Sequence, residues 1–246
     1  MTTIIAVLSH KGGTGKTSLV QNLGYELGKQ KRVLLVDFDP QSNLTVGCGI
    51  EPYEERQTVF HTMYDPNTTA NTIISLDHYD LLPSNLDLAL AEQQFAAYYD
   101  RNNKLQDAIA MVQDKYDYVL IDSPPSMGFF AFNALTAANE VLIPLQCQPY
   151  ALRAVDNTLQ LVKLVQKNNR DLHVRSVVLT MYDKRVALTK SVEAAARQRF
   201  KALVAQAVIP VNISVSEAGL EGQPVAIYAP RSRGAQSYQA LSQELY

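Results

Sequence analysis

The sequence predicts an α/β fold, a doubly wound, mostly parallel sheet with helices on both faces. Three observations carry that prediction. Short aliphatic runs at 3–8 (TIIAVL), 32–37 (RVLLVD), 118–122 (YVLID) and 141–145 (VLIPL) have the continuous apolar character of strands buried on both faces. Segments of helical periodicity separate them, as crossover connections between parallel strands require. A glycine-rich stretch, KGGTGKT at 11–17, joins the first strand to the first helix, and two strands end in aspartate, Asp37 and Asp122. Carboxyl ends of parallel strands are where such sheets bind ligands. With 246 residues, 47% of them apolar, and no linker, one domain over residues 1–246 is expected.

Taken in order, Thr3 to Leu8 reads as the first strand. Gly12, Gly13 and Gly15 then let the backbone turn and bring its N–H groups close to a ligand. Lys16 to Lys29 reads as a helix, with Leu19, Val20, Leu23 and Leu27 at helical spacing. The loop therefore lies at a helix N-terminus, where amides and macrodipole favour an anion. Lys16 is placed to reach β- and γ-phosphates, and the Thr17 hydroxyl to hold Mg²⁺. A plain glycine turn is the competing reading, and the order strand, loop, GK[ST], helix weighs against it. A strict G-x-x-x-x-G-K-[ST] pattern would place glycine at position 10, where this chain has His10 followed by Lys11. Lys11 adds a second cation beside the loop.

Arg32 to Asp37 is the next strand, and residues 38–50 read as a loop because Pro40, Ser42, Asn43 and two glycines fall there. Asp37 and Asp39 are both placed for chemistry. Residues 51–115 say least: an irregular stretch with one short helix over 52–65, a strand at 79–82, and helices at 86–99 and 104–114. Tyr118 to Asp122 is a strand ending in the kind of carboxylate that orders Mg²⁺ through water, followed by a rigid SPPS turn. A helix at 131–138, a strand at 141–145, a helix at 151–167, a strand at 174–180 and a basic helix follow. VIPVN at 208–212 reads as the end of the last core strand.

KGGTGKT resembles the deviant Walker A motif of the ParA/MinD ATPases, and the likeness runs on through four more segments. DFDPQSN at 37–43 resembles switch I, DSPPSMG at 122–128 resembles switch II, and LIPLQCQPYAL at 142–152 resembles the segment leading into a long helix. SEAGLEGQPVAIYAPRSRGAQSY at 216–238 matches the family's C-terminal pattern in most positions. The resemblance implies ATP and Mg²⁺ as cofactors. It implies that Lys11, Gly12, Gly13, Thr14, Gly15, Lys16, Thr17 and Ser18 hold the phosphates, with Pro210 and Asn212 at the adenine. Thr17, Asp39 and Asp122 would serve the metal, and Lys11, Lys16 and Asp39 hydrolysis, with Asp39 at the attacking water. Lys11 would reach across a homodimer to the partner's nucleotide.

Charge is uneven. Residues 1–150 carry 9 Lys and Arg against 17 Asp and Glu, and residues 151–246 carry 13 against 7. That asymmetry fits a polyanion-binding face in the second part, and fits scattered helix surface equally well. Chromosomal ParA relatives often have I-P-R-N-V-R-L-S-E-A where this chain has IPVNISVSEA, so Val211 and Ser214 replace two arginines, one of which the family uses for DNA. Lys184, Arg185, Lys190, Arg197, Arg199 and Arg233 are the candidate replacements.

Three functions compete. A ParA-type ATPase would bind nonspecific DNA as an ATP dimer and position a plasmid, chromosome or protein organelle such as the carboxysome. A ParB-like or McdB-like adaptor would stimulate its hydrolysis, and the protein would be cytoplasmic and nucleoid-associated. A MinD-like membrane-cycling ATPase would need a basic amphipathic C-terminal helix, and YQALSQELY has no Lys or Arg, so no membrane partner is expected. A metal-handling relative of the nitrogenase iron protein would need cluster-binding cysteines, and Cys48 and Cys147 do not sit where those fall. Two cysteines without metal spacing and no leader before the first strand suggest a reducing cytosol.

Overall fold

The structure is a computed structural model and describes residues 2–52 and 56–246. Residues 53–55, within the stretch expected to be irregular, lie outside the described residues. Seven strands form one sheet: β1 (Thr3–Val7), β2 (Val33–Asp37), β3 (Ile74–Ser75), β4 (Asp80–Leu82), β5 (Tyr118–Asp122), β6 (Glu140–Gln146) and β7 (His173–Thr180). Their order is β3-β4-β2-β5-β1-β6-β7, and only the β3–β4 pair is antiparallel. The expected doubly wound, mostly parallel sheet is present.

The helices are α1 (Lys16–Gly28), α2 (Asn43–Gly47), α3 (Val59–Tyr64), α4 (Thr69–Thr72), α5 (Ala91–Gln94), α6 (Lys104–Ala110), α7 (Phe129–Ala137), α8 (Ala151–Val165), α9 (Ala187–Phe200), α10 (Ile213–Leu220), α11 (Val225–Tyr228) and α12 (Arg233–Leu245). Strand side chains alternate, so the sheet feeds two cores. Ile4, Ala6 and Leu8 enter one, closed by α3 and α6 to α9, while Ile5 and Val7 enter the other, closed by α1, α2 and α10 to α12. α8 buries Ala151, Val155, Thr158, Val162 and Val165, a stripe at three- and four-residue spacing. α12 starts at Ser232, whose hydroxyl accepts from Ala235 N–H at 3.1 Å, and buries Ala235, Tyr238, Leu241 and Leu245 against α1.

Three expectations need correction. Residues 43–47, read as loop, form α2, because a remote carboxylate supplies the missing cap: Asp37 Oδ2 accepts from the Thr45 N–H at 2.8 Å. The helix expected over 86–99 is a 3₁₀ segment (Leu86–Leu90) followed only by α5. The chain turns at Phe95 so that this ring packs fully buried beside Tyr64, Tyr98 and Phe129, and the Asp-Asn-rich residues after it favour turns. Finally, 208–212 is not a strand. Residues 204–211 run beside the end of β7, with Ala205 N–H donating to the Val177 carbonyl at 3.0 Å, Ile209 N–H to that of Leu179 at 2.8 Å and Val211 N–H to that of Tyr182 at 3.2 Å. They form just the isolated bridges Val177–Val204 and Tyr182–Pro210. Between the two bridges the Gln206 and Ala207 N–H groups turn to the Glu244 carboxylate, each at 2.7 Å, so no continuous ladder forms.

Candidate functional site

β1, β5 and β2 end level, because Val7 pairs with Asp122 and Asp122 with Asp37. That register sets two carboxylates and the glycine loop side by side at the carboxyl edge of the sheet. Within the loop, Gly13 and Gly15 take left-handed φ of 69° and 82°, which other residues adopt only with strain. Gly12 does not take a left-handed φ, and a methyl group there would meet nothing closer than Pro125 Cγ at 3.9 Å. The protein alone therefore does not require glycine at 12. β7 braces the loop, where Thr180 Oγ1 donates to the Thr14 carbonyl at 2.9 Å.

Residues 12–18 line a cavity of about 590 Å³, with Asp39 and Gln41 on another wall. Lys16 is 7% exposed, and burial lowers its ammonium pKa below the ordinary lysine value, against the opposing charges of Asp122 and Asp39. Thr17 Oγ1 donates to Asp122 Oδ2 at 2.6 Å. The other oxygen, Asp122 Oδ1, is buried without a hydrogen-bond partner among the described residues. Burial pushes the Asp122 carboxyl up to about 8, Asp37 and Asp39 add to the rise, and Thr17 and Lys16 oppose it. An orphaned buried carboxylate oxygen beside a threonine hydroxyl fits a Mg²⁺ held mostly by phosphate and water oxygens. No cluster of three His, Cys, Asp or Glu suited to a metal occurs among the described residues, so a site of that kind would need the phosphates to complete it.

Asp37 and Asp39 divide their work. Asp37 is fully buried and its oxygens are saturated, Oδ2 by the Thr45 hydroxyl and N–H and Oδ1 by the Asp39 N–H. Burial raises it to about 6 despite those donors. It is a structural group. Asp39 faces the cavity, its Oδ1 accepting the Gln41 N–H at 2.9 Å. Lys11 lies at the surface and donates from Nζ to Gln148 Oε1 at 2.6 Å.

The structure does not bring every candidate together. Pro210 lines a different cavity of about 750 Å³, with Lys184, Arg185 and Arg233. Asn212 precedes α10, with Oδ1 buried and without a hydrogen-bond partner among the described residues. Arg185 is held by both oxygens of Asp183, at 3.0 and 2.7 Å. Arg197 pairs with Glu193 and donates to the Ala205 carbonyl, and Arg199 pairs with Asp156 on α8. Lys184, Lys190 and Arg233 make no side-chain ion pair among the described residues. Sequence reasoning missed the roof of the nucleotide-sized cavity, built by Met181 and by Val215, Ser216, Gly219 and Leu220 of α10. Its signal was the spacing Val215, Ser216, Gly219, Leu220, one face of a helix over VSEAGL at 215–220. Cys48 and Cys147 lie in opposite cores, so the sheet separates them.

A family model described as an AAA domain, AAA_31, matches residues 2–174. The chain is 42% identical over 246 residues to sporulation initiation inhibitor protein Soj of Bacillus subtilis (strain 168), across 98% of this chain and 97% of Soj. It is 36% identical over 246 residues to chromosome partitioning protein ParA of Myxococcus xanthus (strain DK1622), across 98% and 87%. Cobyrinic acid a,c-diamide synthase from Mycobacterium smegmatis, solved with an ATP analogue and magnesium, superposes with a TM-score of 0.89 at 32% identity over 99% and 93% of the chains. Loop, strand-end carboxylates and end-to-end likeness agree: the chain belongs to the Soj/ParA family of deviant Walker A P-loop NTPases.

Proposed function

We propose that this protein is a ParA-type ATPase that binds ATP with Mg²⁺, closes into a nucleotide-sandwich homodimer, holds nonspecific DNA and positions a cargo. The observation that carries the reading is the convergence at one sheet edge of buried Lys16, the Thr17–Asp122 pair with its orphaned oxygen, and cavity-facing Asp39.

Phosphoryl transfer to water asks for positioning and charge neutralisation rather than covalent chemistry. The loop amides and Lys16 take the phosphates, and Asp39 orients the water. Bound Mg²⁺ supplies charge neutralisation on the phosphate oxygens and is served by Thr17 and Asp122. Lys11 gives up one exposed hydrogen bond to Gln148 and gains a phosphate of the partner's nucleotide. Among the described residues no arginine lines the cavity, so turnover is slow until a partner acts. DNA binding rests on Lys184, Lys190 and Arg233, because Arg185, Arg197 and Arg199 are paired with carboxylates of the fold. The cargo, whether plasmid, chromosome or carboxysome-like organelle, is chosen by a ParB-like or McdB-like adaptor, and the protein works in the cytoplasm on the nucleoid.

Sedimentation with ATP, with ADP and without nucleotide, each with and without nonspecific DNA, tests this. An ATP-dependent dimer that carries DNA, and that Asp39→Ala traps, is the expected result. A protein that stays monomeric with ATP overturns the sandwich. A dimer that ignores DNA at low salt overturns the DNA track.

A further inference from the structure

Asp39 is gripped through its backbone by two side chains, one of which, Ser84, no motif singles out. Its N–H donates to Asp37 Oδ1 at 3.2 Å, and its carbonyl accepts from Ser84 Oγ at 2.9 Å. Both grips belong to one network. The Ser84 N–H donates to Thr45 Oγ1 at 3.0 Å, and Thr45 donates its hydroxyl and N–H to Asp37 Oδ2 at 2.7 and 2.8 Å. Asp37 and Thr45 are 0% exposed and Ser84 is 1% exposed. The end of β2 and α2 are thereby joined to a segment distant in sequence, the residues after β4.

Holding both the N–H and the carbonyl of one residue fixes its two peptide planes and hence the direction of its Cα–Cβ bond. The Gln41 N–H then holds one carboxylate oxygen. Little freedom remains for the Asp39 carboxylate. In a fully satisfied buried network each member also depends on the others, because losing one leaves a polar group unpaired in a low-dielectric interior.

We propose that Thr45 and Ser84 are positioning residues that aim the Asp39 carboxylate at the attacking water. This rests on the ATPase reading. Neither side chain lines the cavity, so both act on the chemical step and not on ATP affinity. A displacement of about 1 Å at a reacting group is enough to cost up to ~100-fold in rate.

The test compares Ser84→Ala with Ser84→Thr, and Thr45→Val with Thr45→Ser, in the full chain. Three readouts are steady-state ATP hydrolysis, affinity for a fluorescent ATP analogue, and amide hydrogen exchange over residues 38–46. Ser84→Ala and Thr45→Val lower kcat about tenfold or more. Their KM and analogue affinity stay within about twofold of wild type, and exchange over 38–46 quickens while that of β5 does not. Ser84→Thr and Thr45→Ser keep the hydroxyl and restore the rate. Unchanged exchange over 38–46 overturns the proposal, as does unchanged kcat, or a loss of affinity that matches the loss of rate. If the wild type hydrolyses no ATP, the ATPase reading falls, and the exchange data alone decide whether Ser84 and Thr45 hold Asp39.

Discussion

Gly12 and Gly13 are adjacent and are glycine for different reasons. Gly13 needs a left-handed φ, so Gly13→Ala strains the backbone by about 1–2 kcal/mol. Gly12 has neither that conformation nor a close neighbour within the protein. Thermal melts should therefore leave Gly12→Ala within about 0.5 kcal/mol of wild type, while titration with an ATP analogue shows weakened binding, because the space is reserved for a ligand. A second residue-scale expectation concerns Asp122. Its carboxyl is fully buried, one oxygen is unpaired among the described residues, and burial pushes it up to about 8. Folding without nucleotide must therefore take up a proton at neutral pH, or bury a charge above about pH 8. Asp122→Asn removes that cost and raises the melting point of nucleotide-free protein at neutral pH. The same substitution should abolish the extra stabilisation conferred by ATP with Mg²⁺, read by melting with and without EDTA. At this scale the loop was legible, because GK[ST] after a strand is a local pattern. The resemblance gave the attacking water to Asp39 and not to Asp37, but the residues alone did not separate them, because two aspartates two residues apart differ in what Thr45 and Gln41 donate to them.

At the scale of elements, α2 and α10 flank the nucleotide-sized cavity, and a glycine pair ties their ends together. Gly49 and Gly222 both have positive φ, and a methyl group on Gly222 would lie 2.6 Å from the Gly49 Cα. Gly222→Ala combines backbone strain with a backbone clash that no flexible side chain can relieve. The expected cost is about 2–4 kcal/mol, a drop of roughly 5–15 °C in the melting point for a domain of this size. Nucleotide binding should weaken with it, since the roof residues of α10 shift. None of this was readable in advance: α2 depends on a cap from β2, and a glycine in GLEGQ signals a turn without saying what lies against it. The failed strand at 208–212 has the same origin. VIPV has strand composition, but the two residues before it give their N–H groups to Glu244 of α12 and not to β7, which no local pattern shows.

Across the whole molecule, the charge asymmetry seen in composition resolves into a division between paired and available cations. Arg199 ties α9 to α8 through Asp156, whereas Lys184 and Arg233 open onto the larger cavity. Arg199→Ala should lower stability by about 0.5–1 kcal/mol and leave DNA retention alone. Replacing Lys184 and Arg233 by alanine should do the reverse, lowering the slope of log affinity against log salt by about 2, measured by retention on nonspecific duplex at several salt concentrations. The sheet itself was legible from its aliphatic runs, and all but one of the expected strands formed. Partners among strands were not, because parallel neighbours are chosen by crossovers and not by local sequence.

The level ends of β1, β5 and β2 have one more consequence. Deleting a single residue within β5 would rotate every later side chain of that strand to the opposite face and withdraw Asp122 from Thr17. Loops around this edge can lengthen or shorten by several residues at modest cost. The strands cannot change length by one, so length variants of this chain that still turn over nucleotide should carry every insertion and deletion outside 3–7, 33–37 and 118–122.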